Sequence, residues 1–181
     1  RILDTEDLHL LRKARQEAVI NGIGPDQADI FSETAIREIA SIYRSDLSII
    51  ISEYEIGLLQ DKFGITSDMI HYLPFMIEKI NDTIPNERNT FEERKGFITI
   101  GNLKHSPNID SVLYLKDQIW PLIKKELPDA HLSIYGAYAS ERIKQLHDES
   151  AGFLVKGWAE DVNEVMKQSR ICLVPLRFGA G

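Results

Sequence analysis

The chain has 181 residues, enough for one large or two small domains, and its 43% hydrophobic and 27% charged residues are typical of a soluble globular protein. Its net charge of −7 argues against nucleic acid as the main partner, although backbone N–H groups can still bind a small anion. No apolar run approaches the ~20 residues that span a bilayer, and the single cysteine excludes an internal disulfide framework. A cytoplasmic protein is therefore expected.

The first half of the sequence predicts strands and helices in alternation. The predicted strands are 2–3, 47–51 and 69–73. The predicted helices begin after the acidic run 4–7, which would cap the first of them, after Ser32, and at the capping box 52–55. Gly64 is the expected end of the third helix.

Residues 78–94 are mostly polar and charged, show no apolar period and contain Pro85, so they predict a linker between two domains. The first domain would then comprise residues 1–77 and the second would comprise residues 95–181. The chain begins without Met and ends within a glycine turn, and it is expected to be an internal part of a longer protein, without transferase activity by itself.

The second half repeats a strand followed by a helix. The predicted strands are 97–100, 132–135, 153–156 and 171–176, and the helices between them carry apolar residues at 112–123, 140–146 and 162–166. Such alternation predicts a parallel sheet with right-handed crossovers. Cys172, within the last apolar run, is expected to be buried, and Trp120 and Trp158 are expected to pack rather than to stack on a ligand.

A glycine stands at or just after the end of each of these strands: Gly101, Gly136, Gly157 and Gly179. Ligands of open α/β sheets bind at this edge, where glycine lets the backbone approach a phosphate closely. The dinucleotide motif G-x-G-x-x-G is absent. Arg177 lies between the last apolar strand and two glycines, which favours contact with a phosphate. The pattern suits a nucleotide whose diphosphate rests on loop backbone.

Several segments of the second half resemble the group 1 glycosyltransferases of the GT-B fold, and they occur in the order seen in that family. They are GFITIGNLKHSPN (96–108), IWP (119–121), LPDAHL (127–132), IYG (134–136), KGW (156–158) and VPLRFGAG (174–181). Residues 2–9 and 46–55 are similar to the last part of the acceptor domain of these enzymes. The resemblance implies an α/β protein with two Rossmann-like parallel-sheet domains, both incomplete in this chain.

The resemblance also implies roles for individual residues. The donor diphosphate would lie on two loops, formed by Gly101, Asn102 and Lys104 and by Arg177, Phe178, Gly179, Ala180 and Gly181. The nucleoside side would be lined by Gly136, Gly157, Trp158 and Ala159. Asp4, Thr5, Glu6, Asp7 and His9 would face the acceptor, with Asp7 and His9 as the catalytic candidates. Many family members have an arginine where this chain has Asn102, and Lys104 stands in for their lysine only approximately.

The function implied is transfer of a hexose-like sugar, with retention of configuration, from a nucleoside-diphosphate sugar to a hydroxyl of a glycan, a lipid-linked or a small acceptor, in polysaccharide biosynthesis. No metal or other cofactor would be needed, and no nucleic acid would bind. Peripheral membrane association through a preceding N-terminal part is left open. The alternatives are an epimerase or phosphorylase of the same fold, and a non-catalytic module that binds a nucleotide sugar. Asp7 and His9 also suit a plain helix start and a helix surface.

Overall fold

The computed structural model describes residues 1–76 and 89–180, and these form two compact units. The first unit comprises residues 1–76 together with 177–180, and the second comprises 89–176. Most of the predicted linker, 78–88, and the predicted loop residue Gly181 lie outside the described residues. The domain limits inferred from the sequence therefore stay a prediction.

The first unit is a three-stranded parallel sheet with three helices. Its strands are β1 (Ile2–Asp4), β2 (Leu47–Ile50) and β3 (Ile70–Tyr72), in the order β1-β2-β3. Its helices are α1 (His9–Ile20), α2 (Glu33–Tyr43) and α3 (Glu53–Phe63), and a 3₁₀ turn covers Pro25–Gln27. Leu10, Ile42, Ile50 and Leu59 are fully buried between sheet and helices, so these elements share one apolar core.

Local capping signals fix two of the three helix starts in this unit. The Ser32 hydroxyl accepts from the Ala35 N–H at 3.2 Å, and the Ser52 hydroxyl accepts from the Glu55 N–H at 3.4 Å. Helix α3 ends at Gly64, which has φ +67° as a left-handed cap requires. The predicted starts of α2 and α3 and the Gly64 stop are confirmed. The capping box at 52–55 is only half formed, because Glu55 Oε1 accepts from the Leu8 N–H and Glu55 Oε2 has no hydrogen-bond partner among the described residues. The prediction that run 4–7 caps α1 is wrong, because the N-cap is Leu8 and its side chain makes no capping bond.

The second unit has the predicted parallel sheet. Its strands are β4 (Lys95–Ile100), β5 (Leu132–Tyr135), β6 (Phe153–Gly157) and β7 (Ser169–Cys172), in the order β6-β5-β4-β7. Every pairing between these strands is parallel, with Phe97 opposite both Leu132 and Ile171. The helices are α4 (Ser106–Tyr114), α5 (Trp120–Glu126), α6 (Glu141–Lys144) and α7 (Val162–Gln168). The α/β fold class is confirmed.

One helical rod links β4 to β5, but its middle, Leu115–Ile119, is a π-helical turn. Pro121 follows this turn and has no N–H to donate, which explains the local change of hydrogen-bond pattern. Trp120 is buried beside the turn, edge-on to Phe97 and Phe153, and its indole N–H donates to the Ala151 carbonyl at 2.8 Å. The predicted packing role of Trp120 is confirmed.

Three expectations for the second unit are wrong. Strand β7 ends at Cys172 rather than at residue 176, and the chain beyond it contains Pro175, which cannot donate to a strand ladder. Cys172 is exposed rather than buried, since within the described sheet its strand is an edge strand; partial desolvation still raises the pKa of its thiol. Trp158 is 69% exposed and does not belong to the core. Among the described residues, no helix is long and apolar enough to cross a membrane.

Candidate functional site

The second sheet reverses its winding direction between β4 and β7. From β4 the chain adds β5 and then β6 on one side, and it returns to place β7 on the other side. In open parallel sheets, the crevice at the carboxyl end of such a reversal is where ligands bind. Gly101 follows β4, and the chain leaves β7 at the same edge. This edge is therefore the candidate donor site, and we call it the carboxyl edge.

Three of the predicted glycines are brought together at the carboxyl edge. The Gly136 N–H donates to the Gly157 carbonyl at 2.7 Å, and the Gly101 N–H donates to the Tyr135 carbonyl at 3.1 Å. A Cβ on Gly136 would lie only 2.3 Å from the Gly101 carbonyl oxygen, so the two backbones touch where a side chain has no room. Gly157 has φ +77°, which favours glycine. The edge is thus a continuous rim of backbone.

The loop after β4 is shaped by two asparagines. The Asn102 side-chain oxygen accepts from the Lys104 N–H at 2.9 Å, a turn in which a side chain replaces a backbone acceptor. The Asn108 amide donates to the Asn102 carbonyl at 3.0 Å, and its nitrogen would lie 2.7 Å from a Cβ on Gly101. Asn108 therefore stabilises the conformation of the loop through its hydrogen bond to Asn102. Sequence reasoning assigned it no role, because an asparagine two residues into a helix carries no distinctive signal.

Lys104 is directed toward a tyrosine that sequence reasoning also missed. Its ammonium lies 4.0 Å from the centre of the Tyr138 ring, within the range of a cation–π interaction. Tyr138 follows Gly136 by two residues, is 65% exposed and has φ +63°. A bulky residue seldom adopts this conformation, and such strain clusters at functional positions. Lys104 and Tyr138 thus form one exposed pair on the carboxyl edge.

The remaining nucleoside-side candidates follow β6 directly. Ala159 is buried, whereas the ring of Trp158 stands out into solvent. The structure thus brings Gly101, Asn102, Lys104, Gly136 and Gly157 to one edge of one unit, with Trp158 and Ala159 next to Gly157 in the chain.

The described part of the predicted second phosphate loop does not belong to the second unit. Residues 177–180 belong to the first compact unit, where Phe178 is buried and the Gly179 carbonyl accepts from Arg15 Nη1 at 3.0 Å. The Arg15 guanidinium also lies over the Tyr54 ring, 5.2 Å from its centre. Gly179 has no positive φ, and a Cβ added there would meet nothing within 4 Å. Its own geometry therefore does not demand glycine.

The acceptor-side candidates Asp7 and His9 form a pair in the first unit. His9 Nε2 lies 3.3 Å from Asp7 Oδ1, and the other Asp7 oxygen is paired with Arg12. The Asp7 side chain is 27% exposed and that of His9 is 56% exposed, so the imidazole is oriented and still open to solvent. This arrangement can hold an imidazole beside an acceptor hydroxyl.

Two carboxylates from other helices accept hydrogen bonds from the backbone at the start of α1, next to this pair. The His9 and Leu10 N–H groups donate to the two oxygens of Glu38, at 2.9 and 2.7 Å. The Leu8 N–H donates to Glu55 Oε1 at 3.0 Å. Glu55 is only 1% exposed, and burial is the main cause that raises the pKa of its carboxyl. Neither glutamate is close to α1 in sequence, so local patterns could not reveal this contact.

A cavity of about 570 Å³ lies at the opposite edge of the second sheet, where the strands begin. Lys95, Gly96, His131 and Arg170 are among its lining residues. The Arg170 guanidinium donates to the carbonyls of Phe91 and Arg94, so it holds the turn before β4. In the part of the chain that the structure describes, no group of three or more His, Cys, Asp or Glu side chains is placed to hold a metal ion.

Comparisons with known proteins agree with this architecture. Residues 94–181 match the family described as Glycosyl transferases group 1. The fold is similar to that of a crystallised mutant of TarM from S. aureus, in complex with fondaparinux, alpha-GlcNAc-glycerol and UDP, with a TM-score of 0.58 and 16% sequence identity. The match covers 78% of this chain and 27% of the TarM chain. No curated protein sequence matches the chain.

Proposed function

We propose that this chain is part of an enzyme that transfers a sugar from a nucleoside-diphosphate sugar to a hydroxyl acceptor. The match of residues 94–181 to the family Glycosyl transferases group 1 and the similarity of the fold to that of TarM support the proposal. The observation that carries this proposal is the glycine rim at the carboxyl edge, at the point where the winding of the sheet reverses. Fold alone would not suffice, because one fold hosts many functions.

The rim suits a departing diphosphate. As the glycosidic bond to the donor breaks, negative charge develops on the diphosphate oxygens, and preorganised N–H groups and cations stabilise that charge. The loop after Gly101 supplies one such cation, the Lys104 ammonium, which lies 4.0 Å from the centre of the exposed Tyr138 ring. We therefore assign the diphosphate to the loop after β4, with no divalent metal, and the nucleoside to Gly136, Gly157, Trp158 and Ala159.

The proposed donor is a uridine diphosphate sugar, since the TarM structure contains UDP. The proposed acceptor is a glycan, a lipid-linked or a small hydroxyl compound, and the Asp7–His9 pair would orient that hydroxyl. We also propose that residues Arg177 to Gly181 form a second loop that contacts the diphosphate. We also propose a role in polysaccharide biosynthesis, which the family match supports, and a location in the cytoplasm, which the single cysteine supports.

Calorimetric titration of the full-length protein with UDP and with uridine tests the donor site. Lys104→Ala should weaken the binding of UDP by about 1.5–3 kcal/mol if the Lys104 ammonium makes one charge-assisted hydrogen bond. The affinity for uridine should not change. Lys144→Ala is the matched control, because Lys144 lies on α6 and pairs with Glu141. Equal losses for UDP and uridine, or no loss in Lys104→Ala, would contradict the diphosphate assignment.

A further inference from the structure

Helix α1 lacks a capping side chain of its own, and Glu38 takes that role from another helix. The first N–H groups of a helix have no partner within it, and an N-cap side chain normally satisfies at least one of them. Leu8, the N-cap here, cannot do so. Both oxygens of Glu38 accept instead, one from the His9 N–H and one from the Leu10 N–H.

This contact acts directly on the acceptor-side pair. His9 is the first residue of α1, and Asp7 precedes it by two positions. The Glu38 carboxylate therefore fixes the backbone that carries the imidazole, and with it the 3.3 Å approach of His9 Nε2 to Asp7 Oδ1. A carboxylate at a helix N-terminus is also favoured by the helix dipole.

We propose that Glu38 is a positioning residue of this enzyme, which holds His9 and Asp7 in register for the acceptor; this rests on the proposed function of that pair. The double contact with the His9 and Leu10 N–H groups requires a carboxylate, and another polar side chain would not replace it. Glutamine has one acceptor oxygen, so Glu38→Gln would turn an NH₂ group toward one of the two N–H donors. One hydrogen bond would be lost and two donors would face each other.

Glu55 provides the contrast. Only its Oε1 accepts, from the Leu8 N–H, while Oε2 is buried without a hydrogen-bond partner among the described residues. Glutamine can keep the Oε1 contact and removes a buried charge, so Glu55→Gln should preserve the position of α1. Glu33 is the surface control, since it is on the same helix as Glu38 and pairs only with the exposed Arg37 in the described contacts.

The test compares Glu38→Gln, Glu55→Gln and Glu33→Gln in the full-length protein by NMR at neutral pH. The His9 Cε1–H signal should move in folded Glu38→Gln and stay in place in the other two variants. With UDP-N-acetylglucosamine as the probe donor, Glu38→Gln should lower kcat on the order of tenfold to a hundredfold, since small misplacement of a reacting group has that effect. KM for the donor should change less than twofold.

An unmoved His9 signal in folded Glu38→Gln would overturn the proposal. If Glu38→Gln does not fold, Glu38→Asp replaces it, because aspartate keeps the carboxylate on a side chain that is one methylene shorter. The His9 Cε1–H signal should move in that variant, and an unmoved signal would overturn the proposal. His9→Ala separates the two hypotheses. If it retains full kcat, the proposed role of His9 fails; if it loses kcat while Glu38→Gln does not, only the role of Glu38 fails.

Discussion

The Lys104 ammonium lies 4.0 Å from the centre of the Tyr138 ring, and Tyr138 holds a left-handed backbone conformation with φ +63°. An exposed cation–π pair is worth about 0.5–1 kcal/mol. That energy is small for stability, but it favours a position of the Lys104 ammonium near the expected diphosphate by about twofold to fivefold.

Substitutions of Tyr138 should separate the effect of its aromatic ring from the effect of its backbone conformation. Tyr138→Leu should weaken UDP by about twofold to fivefold, the affinity equivalent of 0.5–1 kcal/mol, whereas Tyr138→Phe keeps the aromatic face and should bind normally. Calorimetric titration with UDP measures both variants. Identical affinities for the leucine and phenylalanine variants would show that the ring does not guide Lys104.

The backbone of Tyr138 makes a separate prediction. Tyr138→Gly should raise the free energy of unfolding by up to about 1 kcal/mol, because glycine adopts positive φ without the penalty of a Cβ. Urea unfolding of wild type, Tyr138→Gly and Tyr138→Ala measures this. The alanine variant, which keeps the Cβ, should gain nothing. A loss of stability in Tyr138→Gly would contradict the strain at this position.

Alanine should destabilise the protein much more at Gly136 than at Gly179. At Gly136 the added Cβ meets the Gly101 carbonyl oxygen at 2.3 Å, so Gly136→Ala should cost about 1–3 kcal/mol of stability, as overpacking does. At Gly179 the Cβ has open space and φ is not positive, so Gly179→Ala should cost less than about 0.5 kcal/mol. Urea unfolding measures both. Comparable costs would contradict the close contact of the two loops.

Glu55 should make stability depend on pH. Burial raises the pKa of this carboxyl above its ordinary value of 4.5, although the Leu8 N–H opposes the change. A raised acid pKa means that the folded state holds its proton longer than the unfolded state, so stability falls as pH rises from 4.5 through the folded pKa. Glu55→Gln should therefore be more stable than wild type at neutral pH, with the difference vanishing below pH 4.5. Denaturant unfolding at several pH values tests this. A difference that persists at pH 3 would assign the effect to packing rather than to charge.

The sequence predicted what depends on neighbours along the chain. The strand and helix alternation, the Ser32 and Ser52 caps and the Gly64 stop all rest on residues within four positions of one another, and all are found. The four-stranded parallel sheet followed from the same alternation. The glycines at the carboxyl edge could also be located, because each marks the end of a predicted strand.

What the sequence missed depends on distant contacts. The partners of the α1 N-terminus come from 28 to 47 residues away, so run 4–7 was the only capping signal available. Tyr138 has a positive φ although it is not glycine, and the neighbouring residues in the sequence do not predict that conformation. Cys172 and Trp158 are apolar residues in or beside strands, and their exposure follows from the edge position of β7 and from the turn after β6.

The most direct test of the central claim is an amide NMR footprint of UDP on the full-length protein. The claim places UDP on the carboxyl edge of the second sheet, so the amide signals of Gly101, Gly136 and Gly157 should shift with UDP. Uridine should shift Gly136 and Gly157 while leaving Gly101 nearly unchanged. The signals of Gly96 and His131, which line the cavity at the opposite edge, should stay in place. Shifts confined to Gly96 and His131, or no shift at the three rim glycines at saturating UDP, would contradict the account.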